Sequence, residues 1–394
     1  MYHDYKFKVI ILTGDNMKKI MIFFLSFCVF LAVPAKCYAS GFDEEKVSAK
    51  SAILMCMDTG DILYEKNADE RRSPASVTKI LSILLIAEAI DNGKISLSDT
   101  VTASENAMSK GGSQIWLEVG EQMTVEELLK ATIIASANDA CTALGEYIAG
   151  SETAFVKMMN DRAKELGLKD TNFENCTGLD DAIKNHYSSA HDLAVIACEV
   201  MKHDVVKKYT TVWLDSLRNG ETELNNTNKL VNTYDGITGL KTGTTEAAGF
   251  CLCATACRDG MNLVAVVLGA KTSEERFSSA TYLLDTGFAN YGVYSTEPDL
   301  RKITAVTVKG GDKKSVVPVL SGNQKILCEK GKNSFTYEYK INKEVSAPIK
   351  KGDVLGEINV MADGKKIAVL SVISPENINK TTFAGVFVQF LRTF

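Results

Sequence analysis

The spacing of apolar and polar positions divides the chain into regions of different predicted secondary structure. Apolar runs on both sides of Asp58-Thr59-Gly60-Asp61 predict a hairpin of strands over residues 50–65. From about 75 to 210 apolar residues recur at helical spacing, with predicted helix starts near Thr124 and Ser151. Strands return over 235–270, and another helix is predicted over Ser273 to Phe288. This order predicts a sheet flanked by helices, with a separate helical lobe inserted.

The pattern changes again near Pro298. Residues 300–374 hold short alternating runs, and Asp363-Gly364 is a strong hairpin signal, so a small all-β domain is predicted. The C-terminus has a different pattern, since its apolar residues share one face at helical spacing: Phe383, Val386, Phe387, Phe390, Leu391 and Phe394. Such a helix either docks on the β domain or a partner subunit, or lies on a membrane surface. We favour the membrane, because four terminal phenylalanines have little left to pack against.

The N-terminus has the order of a secretory signal peptide. Met17-Lys18-Lys19 precedes 14 mostly apolar residues, Ile20 to Val33, and Cys37-Tyr38-Ala39 makes cleavage after Ala39 the expected processing step. The apolar run is too short for a comfortable membrane span, and residues 1–16 are interpreted as an upstream extension. These features predict an exported protein that acts at the outer face of the cytoplasmic membrane.

Composition narrows the classes of function. Removal of residues 1–39 takes five of the 44 basic and two of the 49 acidic residues, which leaves a net charge of −8. An acidic protein gains no electrostatic attraction to phosphates, so no nucleic acid partner is expected. Eight cysteines remain, and they lie in apolar patterns that favour buried thiols over disulfides. With four histidines and no zinc-like spacing around Cys251-Leu252-Cys253, no metal site and no cofactor are expected.

Ser76-Val77-Thr78-Lys79 is the most informative stretch for chemistry. Ser73 and Pro74 predict a capped helix start, and the residues after Lys79 are apolar nearly all round, so the helix should be buried. At spacing i, i+3 the hydroxyl and the amine share a face. Desolvation favours the neutral amine that takes a proton from Ser76. On its own, this short and common motif is better explained as a core helix that carries a chance lysine.

Two further motifs follow in order. Ser136-Ala137-Asn138 lies at a predicted helix-to-helix junction of the inserted lobe. Lys241-Thr242-Gly243-Thr244 lies on a predicted strand whose glycines permit close approach by an extended ligand. Lys241 supplies a positive charge and Thr242 a hydroxyl, a pair that suits a carboxylate.

Together the three motifs resemble those of penicillin-binding proteins and serine β-lactamases, and more narrowly those of D-alanyl-D-alanine carboxypeptidases. The supporting stretches include Gly178-Leu179-Asp180 and the segment from His186 to Ala194. The resemblance implies an α/β (α+β), β-lactamase/transpeptidase-like fold with an antiparallel sheet. The expected organisation is an extension and signal peptide over 1–39, a serine carboxypeptidase domain over 40–294, a small β domain over 295–376 and a membrane-anchor helix over 377–394.

The resemblance also implies roles. Ser76 would attack the carbonyl between the last two D-alanines of a peptidoglycan stem pentapeptide and form an acyl-enzyme that water then hydrolyses, and Lys79 would be the base. Ser136 would relay the proton to the leaving amine, and Asn138 would hold the substrate amide and orient Lys79. The remaining expected roles are an oxyanion hole from the backbone amides of Ser76 and Thr244, carboxylate binding by Lys241 and Thr242 beside Gly243, and assistance from Arg276, for which a surface salt bridge is the alternative. β-Lactam antibiotics would be covalent inhibitors.

Two other functions compete with this one. Glu174 lies 38 residues after Ser136, near the distance expected for the water-activating glutamate of one β-lactamase class, but its context does not match the pattern of that class. The resemblance therefore favours slow deacylation of penicillin over a β-lactamase. A non-catalytic penicillin- or peptidoglycan-binding protein is the second alternative, and an intact Ser76, Lys79, Ser136 and Lys241 argues against it. His186 and His191 are expected to have structural or cleft-lining roles.

Overall fold

The computed structural model describes residues 41–179, 185–322 and 324–381. The predicted signal peptide and all but the first five residues of the predicted anchor lie outside the described residues. Within the described part of the chain, no helix has the length and apolar character needed to cross a membrane.

The described helices and strands follow the predicted order. The α-helices are α1 (Lys79–Asp91), α2 (Glu105–Met108), α3 (Val125–Ile134), α4 (Asn138–Ala149), α5 (Glu152–Glu165), α6 (Ala190–Val200), α7 (Asp204–Thr210), α8 (Leu230–Thr233) and α9 (Ser273–Asn290). The strands of the first 290 residues are β1 (Ser51–Cys56), β2 (Ile62–Lys66), β3 (Thr100–Thr102), β4 (Gln122–Thr124), β5 (Leu214–Leu217), β6 (Thr222–Asn225), β7 (Ile237–Thr245), β8 (Gly249–Arg258) and β9 (Met261–Ala270). Those that follow are β10 (Tyr291–Ser295), β11 (Val306–Lys309), β12 (Ser315–Val316), β13 (Val319–Leu320), β14 (Lys325–Glu329), β15 (Phe335–Ile341), β16 (Glu344–Ser346), β17 (Val354–Ala362) and β18 (Lys365–Ile373).

A five-stranded antiparallel sheet separates α9 from the helical lobe. Its strand order is β2-β1-β9-β8-β7, which leaves β7 at an edge. Side chains alternate between the two faces, as strand geometry requires. Leu54 and Leu263 approach Gly287 of α9, whereas Ile53 and Val264 join the core that α1 and α6 complete. The predicted hairpin, sheet and final helix are therefore confirmed.

Helix α1 lies at the centre of the helical lobe. Its apolar residues are buried on all sides, as the pattern predicts, and Lys79 at its first position is fully buried. The predicted helix start is wrong by one turn. Residues Ala75–Thr78 form a 3-10 turn, and Pro74 at the cap position makes no side-chain capping hydrogen bond. Because Ala75 has a φ of +49°, the α-helix cannot include it and begins after this turn.

The second domain consists of small sheets. A four-stranded sheet has the order β13-β18-β17-β15, and a three-stranded one has the order β12-β11-β16. The predicted hairpin at Asp363-Gly364 joins β17 to β18, and both turn residues have positive φ, +49° and +72°. The predicted boundary at 294/295 falls inside β10, which directly follows α9 and pairs with β14 of the β domain. A salt bridge of 2.8 Å between Lys325 and Asp58 also joins the two domains.

Candidate active site

Ser76 and Lys79 lie in hydrogen-bond contact at the start of α1. The distance from Lys79 Nζ to Ser76 Oγ is 2.9 Å, and Nζ also donates to the Thr177 carbonyl at 2.8 Å. Ser76 is half-buried and reachable from solvent, whereas Lys79 is fully buried. Burial lowers the pKa of Lys79 from 10.5 to about 8, because desolvation penalises the ammonium. A substantial part of this amine is therefore neutral near pH 8 and able to accept the Ser76 proton.

Two glycines let neighbouring backbones close around Ser76. A Cβ at Gly243 of β7 would lie 2.9 Å from the Ser76 nitrogen and 2.8 Å from the Pro74 oxygen. A Cβ at Gly178 would lie 1.8 Å from the Ala75 oxygen, and Gly178 has a φ of +82°. Any side chain at either position would push the backbone away from the nucleophile. The sequence motif pointed to Gly243, while Gly178 acquires its role only through this contact.

Ser136 and Asn138 lie at the junction predicted for them. Helix α3 ends at Ile134 and α4 begins at Asn138, with Ser136 between them at a φ of +64°. Within the described part of the chain, Ser136 Oγ and Asn138 Oδ1 are buried and have no hydrogen-bond partner. Buried polar atoms without a partner are costly, so we expect water or a bound ligand to hydrogen-bond to these two atoms.

The expected orientation of Lys79 by Asn138 does not occur in this structure. Asn138 Nδ2 donates to the Gly111 carbonyl at 2.6 Å, and the Lys79 amine is engaged by Ser76 and by the Thr177 carbonyl instead. Thr177 thus takes the orienting role that the resemblance had implied for Asn138. A backbone carbonyl 98 residues away in the sequence carries no signal that inspection of the motifs could detect.

Asp139 is a further site residue that sequence reasoning missed. It is buried, and its carboxylate accepts the backbone N–H groups of Ile115 and Leu117 at 3.1–3.2 Å. The backbone N–H of Asn138 also donates to this loop, at the Ser113 carbonyl, over a distance of 2.7 Å. Asp139 therefore fixes a loop over the Ser136 side of the site. Its position directly after the second motif, in the first turn of α4, was the available signal.

Lys241 and Thr242 lie on the edge strand β7. Lys241 is buried and donates to the Thr242 carbonyl at 3.2 Å, while the Thr242 hydroxyl donates to Thr227 at 2.7 Å. Burial, followed by the charges of Lys79 and Arg276, holds the pKa of Lys241 well below its ordinary value. Thr244, two residues further along the strand, is exposed to solvent.

Arg276 is buried behind β7, so the alternative of a surface salt bridge is wrong. Its guanidinium donates to the Gly243 carbonyl and the Thr244 hydroxyl, both at 3.0 Å, and to the Cys251 carbonyl at 3.2 Å. Burial lowers its pKa. No salt bridge joins a carboxylate to Lys79, Lys241 or Arg276 within residues 41–179, 185–322 and 324–381, so the three make a cationic cluster suited to a bound anion.

His186 has a structural contact with the first motif. The Glu174 N–H donates to His186 Nδ1 at 3.1 Å, so Nε2 carries the proton and donates to Thr78 Oγ1 at 2.8 Å. The Glu174 carboxylate accepts the Asn185 backbone N–H, and Glu174 and Thr177 both line a cavity of about 390 Å³. His191 lies on α6, half-exposed, with Nδ1 3.6 Å from Asp192.

The eight cysteines of the described residues are thiols. Cys56, Cys141, Cys176, Cys251, Cys253 and Cys328 are buried, while Cys198 and Cys257 are half-buried. This agrees with the prediction of buried thiols.

Comparison with known proteins decides the family. A model of the family described as D-alanyl-D-alanine carboxypeptidase matches residues 39–272, more than half of the chain. The chain belongs to the D-alanyl-D-alanine carboxypeptidase family. A second family model, penicillin-binding protein 5, C-terminal domain, matches residues 300–380. Family membership makes the chain a hydrolase of D-alanyl-D-alanine termini and confirms the function predicted from the three motifs.

Carboxypeptidases of this family and a solved structure match along most of the chain. D-alanyl-D-alanine carboxypeptidase DacF of Bacillus subtilis (strain 168) is 46% identical over 349 residues, 87% of this chain and 88% of the relative. DacC of Escherichia coli (strain K12) is 36% identical over 349 residues, 86% of both chains. The structure of penicillin binding protein 5 from Haemophilus influenzae has a TM-score of 0.77 at 33% identity and covers 86% of this chain and 100% of its own. The predicted fold class is thereby confirmed.

Proposed function

We propose that Ser76 performs the D-alanyl-D-alanine carboxypeptidase reaction with Lys79 as its base. The observation that carries this proposal is the 2.9 Å contact between Lys79 Nζ and Ser76 Oγ in a buried setting that lowers the pKa of Lys79 to about 8. Neutral Lys79 takes the hydroxyl proton as Ser76 Oγ bonds to the carbonyl carbon of the penultimate D-alanine. The peptide bond then breaks, a proton passes through Ser136 to the leaving amine, and terminal D-alanine departs. Water hydrolyses the acyl-enzyme and frees the shortened peptide.

The backbone amides of Ser76 and Thr244 form the proposed oxyanion hole. Gly243 brings β7 against the turn that carries Ser76, so both amides belong to backbones in close contact. Donors aimed at a developing oxyanion each contribute about 3–4 kcal/mol to transition-state stabilisation. Asn138, whose Oδ1 lacks a partner in the described residues, is proposed to accept the substrate amide N–H.

Lys241 and Thr242 are proposed to bind the terminal carboxylate, with Arg276 behind them. The cationic cluster that they form with Lys79 supports this assignment, because a bound carboxylate supplies the missing negative charge. Arg276 acts as a positioning residue, since its guanidinium holds the Gly243 carbonyl and the Thr244 hydroxyl. The same carboxylate requirement explains specificity for the C-terminus of a peptide.

β-Lactam antibiotics are proposed to acylate Ser76 and to be released slowly. Glu174 supports the slow release, because its carboxylate accepts the Asn185 amide and makes no hydrogen bond to Ser76 among those of the described residues. A β-lactamase of the class considered above would need the glutamate to lie beside Ser76, where it could activate water. Rapid, repeated hydrolysis of benzylpenicillin by the purified protein would refute this assignment.

Export and membrane attachment complete the proposal. The N-terminal pattern supports export to the cell-wall space, and the terminal phenylalanines support attachment by an amphipathic helix on the outer face of the cytoplasmic membrane. Deletion of residues 380–394 should release the processed protein from membranes. Retention on membranes after this deletion would disprove the anchor.

The catalytic proposal is tested with Ser76→Ala. Removal of the nucleophile should abolish D-alanine release from a pentapeptide. The variant should still bind the peptide, as measured by calorimetry. Ser315→Ala, at an exposed serine of β12 in the second domain, is the matched control and should keep the wild-type rate. Unchanged release by Ser76→Ala would defeat the assignment of the nucleophile, and a wild-type protein that binds the peptide without any release would favour the non-catalytic alternative.

A further inference from the structure

Trp116 presents its indole to solvent next to the active site. Its exposed fraction of 76% is the largest among the large apolar residues of the described chain, and its φ is +60°. Its neighbours Ile115 and Leu117 are buried. A positive φ is unusual for a bulky residue, and strained backbone of this kind persists where the surroundings impose it, which often happens at functional sites. The exposed position of this aromatic ring therefore has two costs, the contact of an apolar indole with water and an unfavourable backbone conformation.

The loop around Trp116 is held rigidly from both sides. Asp139 accepts the N–H groups of both flanking residues, as described above. On the other side, Arg218 donates to the Ile115 carbonyl at 2.8 Å and forms a salt bridge of 2.7 Å with Glu121. The indole is thus presented by a fixed backbone, and binding to it would require little ordering of the loop.

The same contacts place the loop on the Ser136–Asn138 wall of the cleft. Asn138 donates to the carbonyls of Gly111 and Ser113, so this loop packs directly against the segment that carries Ser136 and Asn138. A substrate whose C-terminus occupies the Lys241 side would extend outward past this loop. A part of the substrate that contacts Trp116 would therefore be one that lies far from the scissile bond.

Five backbone groups of the loop are already paired within the protein and are not available to a peptide. The carbonyls of Gly111, Ser113 and Ile115, and the amides of Ile115 and Leu117, already have partners within the protein. The edge strand β7 is the element that offers an open edge to an extended peptide. The loop contributes an aromatic face with exposed polar side chains nearby, Ser113 and Glu118.

We propose that Trp116 is a stacking platform for an N-acetylated amino-sugar ring of the peptidoglycan glycan strand. A pyranose presents an apolar C–H face to an indole and directs hydroxyl groups to its rim, where Ser113 and Glu118 accept or donate hydrogen bonds. The inference rests on the proposed function, because it requires the stem peptide to lie in the cleft. It adds recognition of the sugar to recognition of the peptide terminus.

Fluorescence tests the platform without relying on catalysis. The chain has two tryptophans, Trp116 and Trp213, so Trp213→Phe makes Trp116 the sole reporter. Titration with a peptide-free tetrasaccharide of alternating N-acetylglucosamine and N-acetylmuramic acid should change the emission of Trp116 in a saturable manner. The response should persist after acylation with penicillin, which occupies the peptide site. Absence of any saturable change would overturn the proposal.

A second experiment compares the kinetics of substrates with and without the sugar. Trp116→Ala should lower kcat/KM for a disaccharide-pentapeptide by roughly fivefold to tenfold, the range expected for the loss of one aromatic contact, and leave the sugar-free pentapeptide unaffected. Trp116→Phe should retain most of the wild-type value. Val119→Ala, 58% exposed in wild type, is the matched control and should change neither substrate. Equal losses on both substrates would refute a sugar platform, whereas no release from either substrate by the wild-type protein would instead refute the proposed function.

Discussion

The most demanding prediction concerns the pH dependence of acylation and its loss in Lys79→Arg. Lys79 is fully buried, and desolvation lowers its pKa from 10.5 to about 8. At pH 7 this shift raises the neutral fraction of the amine from roughly 1 in 3,000 to roughly 1 in 10, a gain of about 300-fold in available base. Because the neutral amine is the active form, the acylation rate should rise about tenfold per pH unit below pH 8 and level off above it.

A second group limits the rate at higher pH. Lys241 must be charged to attract the substrate carboxylate, but burial and the nearby cations hold its pKa well below its ordinary value. Loss of its proton should therefore weaken peptide binding on the alkaline side. The complete profile of kcat/KM for a pentapeptide is expected to be bell-shaped.

The assay is stopped-flow acylation by a fluorescent penicillin between pH 5.5 and 9. Lys79→Arg keeps a positive charge that does not titrate in this range, so acylation should fall by roughly 10²–10⁴-fold and lose its rising limb. Lys110→Arg is the matched control, because Lys110 is partly buried and salt-bridged to Glu152 in the neighbouring cavity. A flat wild-type profile, or an active Lys79→Arg protein, would refute the role of Lys79 as base.

Three further predictions follow from the packing around the nucleophile. Gly178→Ala should destabilise the fold and slow acylation far more than Gly150→Ala. Both positions have φ near +83°, but only at Gly178 would a Cβ lie against the Ala75 oxygen. Thermal melts and penicillin binding compare the two variants, and equal effects would contradict the steric argument. Asp139→Asn should shift the pH profile of acylation to lower pH, because the negative charge of Asp139 raises the pKa of Lys79. An unshifted profile would show that this charge does not affect the pKa of Lys79. Lys79→Met should raise the free energy of unfolding at pH 7 by about 1–3 kcal/mol. The pKa of Lys79 is lower in the folded protein than in the unfolded chain, so at pH 7 the unfolded chain binds the Lys79 proton more tightly and the wild-type fold is destabilised. This gain should fade in denaturant titrations as pH rises from 8 to 10.5, and a less stable variant at pH 7 would contradict the desolvation argument.

Most of the fold could be predicted because its elements depend on local patterns. The capping box at Thr124, the burial of α1 and the hairpin at Asp363-Gly364 are each specified by residues close together in the sequence. The helix start at Ser73 was predicted wrongly, because the distant backbones of β7 and of Gly178 pack on the turn before α1, and no local preference reports such contacts.

The candidate site was predictable where a side chain supplies the chemistry. Ser76, Lys79, Ser136 and Lys241 have functional groups that the motifs display directly. Contacts made by the backbone were not predictable, and the Thr177 carbonyl that holds Lys79 is the clearest case, since every residue has such a carbonyl. Burial of Arg276 likewise depends on how α9 packs behind β7.

Mass spectrometry of the purified protein after brief exposure to benzylpenicillin tests directly whether Ser76 is the nucleophile. We expect one covalent acyl adduct per chain, located by peptide mapping on the peptide that contains Ser76. The adduct should be absent from Ser76→Ala and should persist far longer than the exposure, because the Glu174 carboxylate accepts the Asn185 amide and makes no hydrogen bond to Ser76 among those of the described residues. An adduct on another residue, no adduct at all, or rapid conversion of excess penicillin to its hydrolysed form would contradict the account.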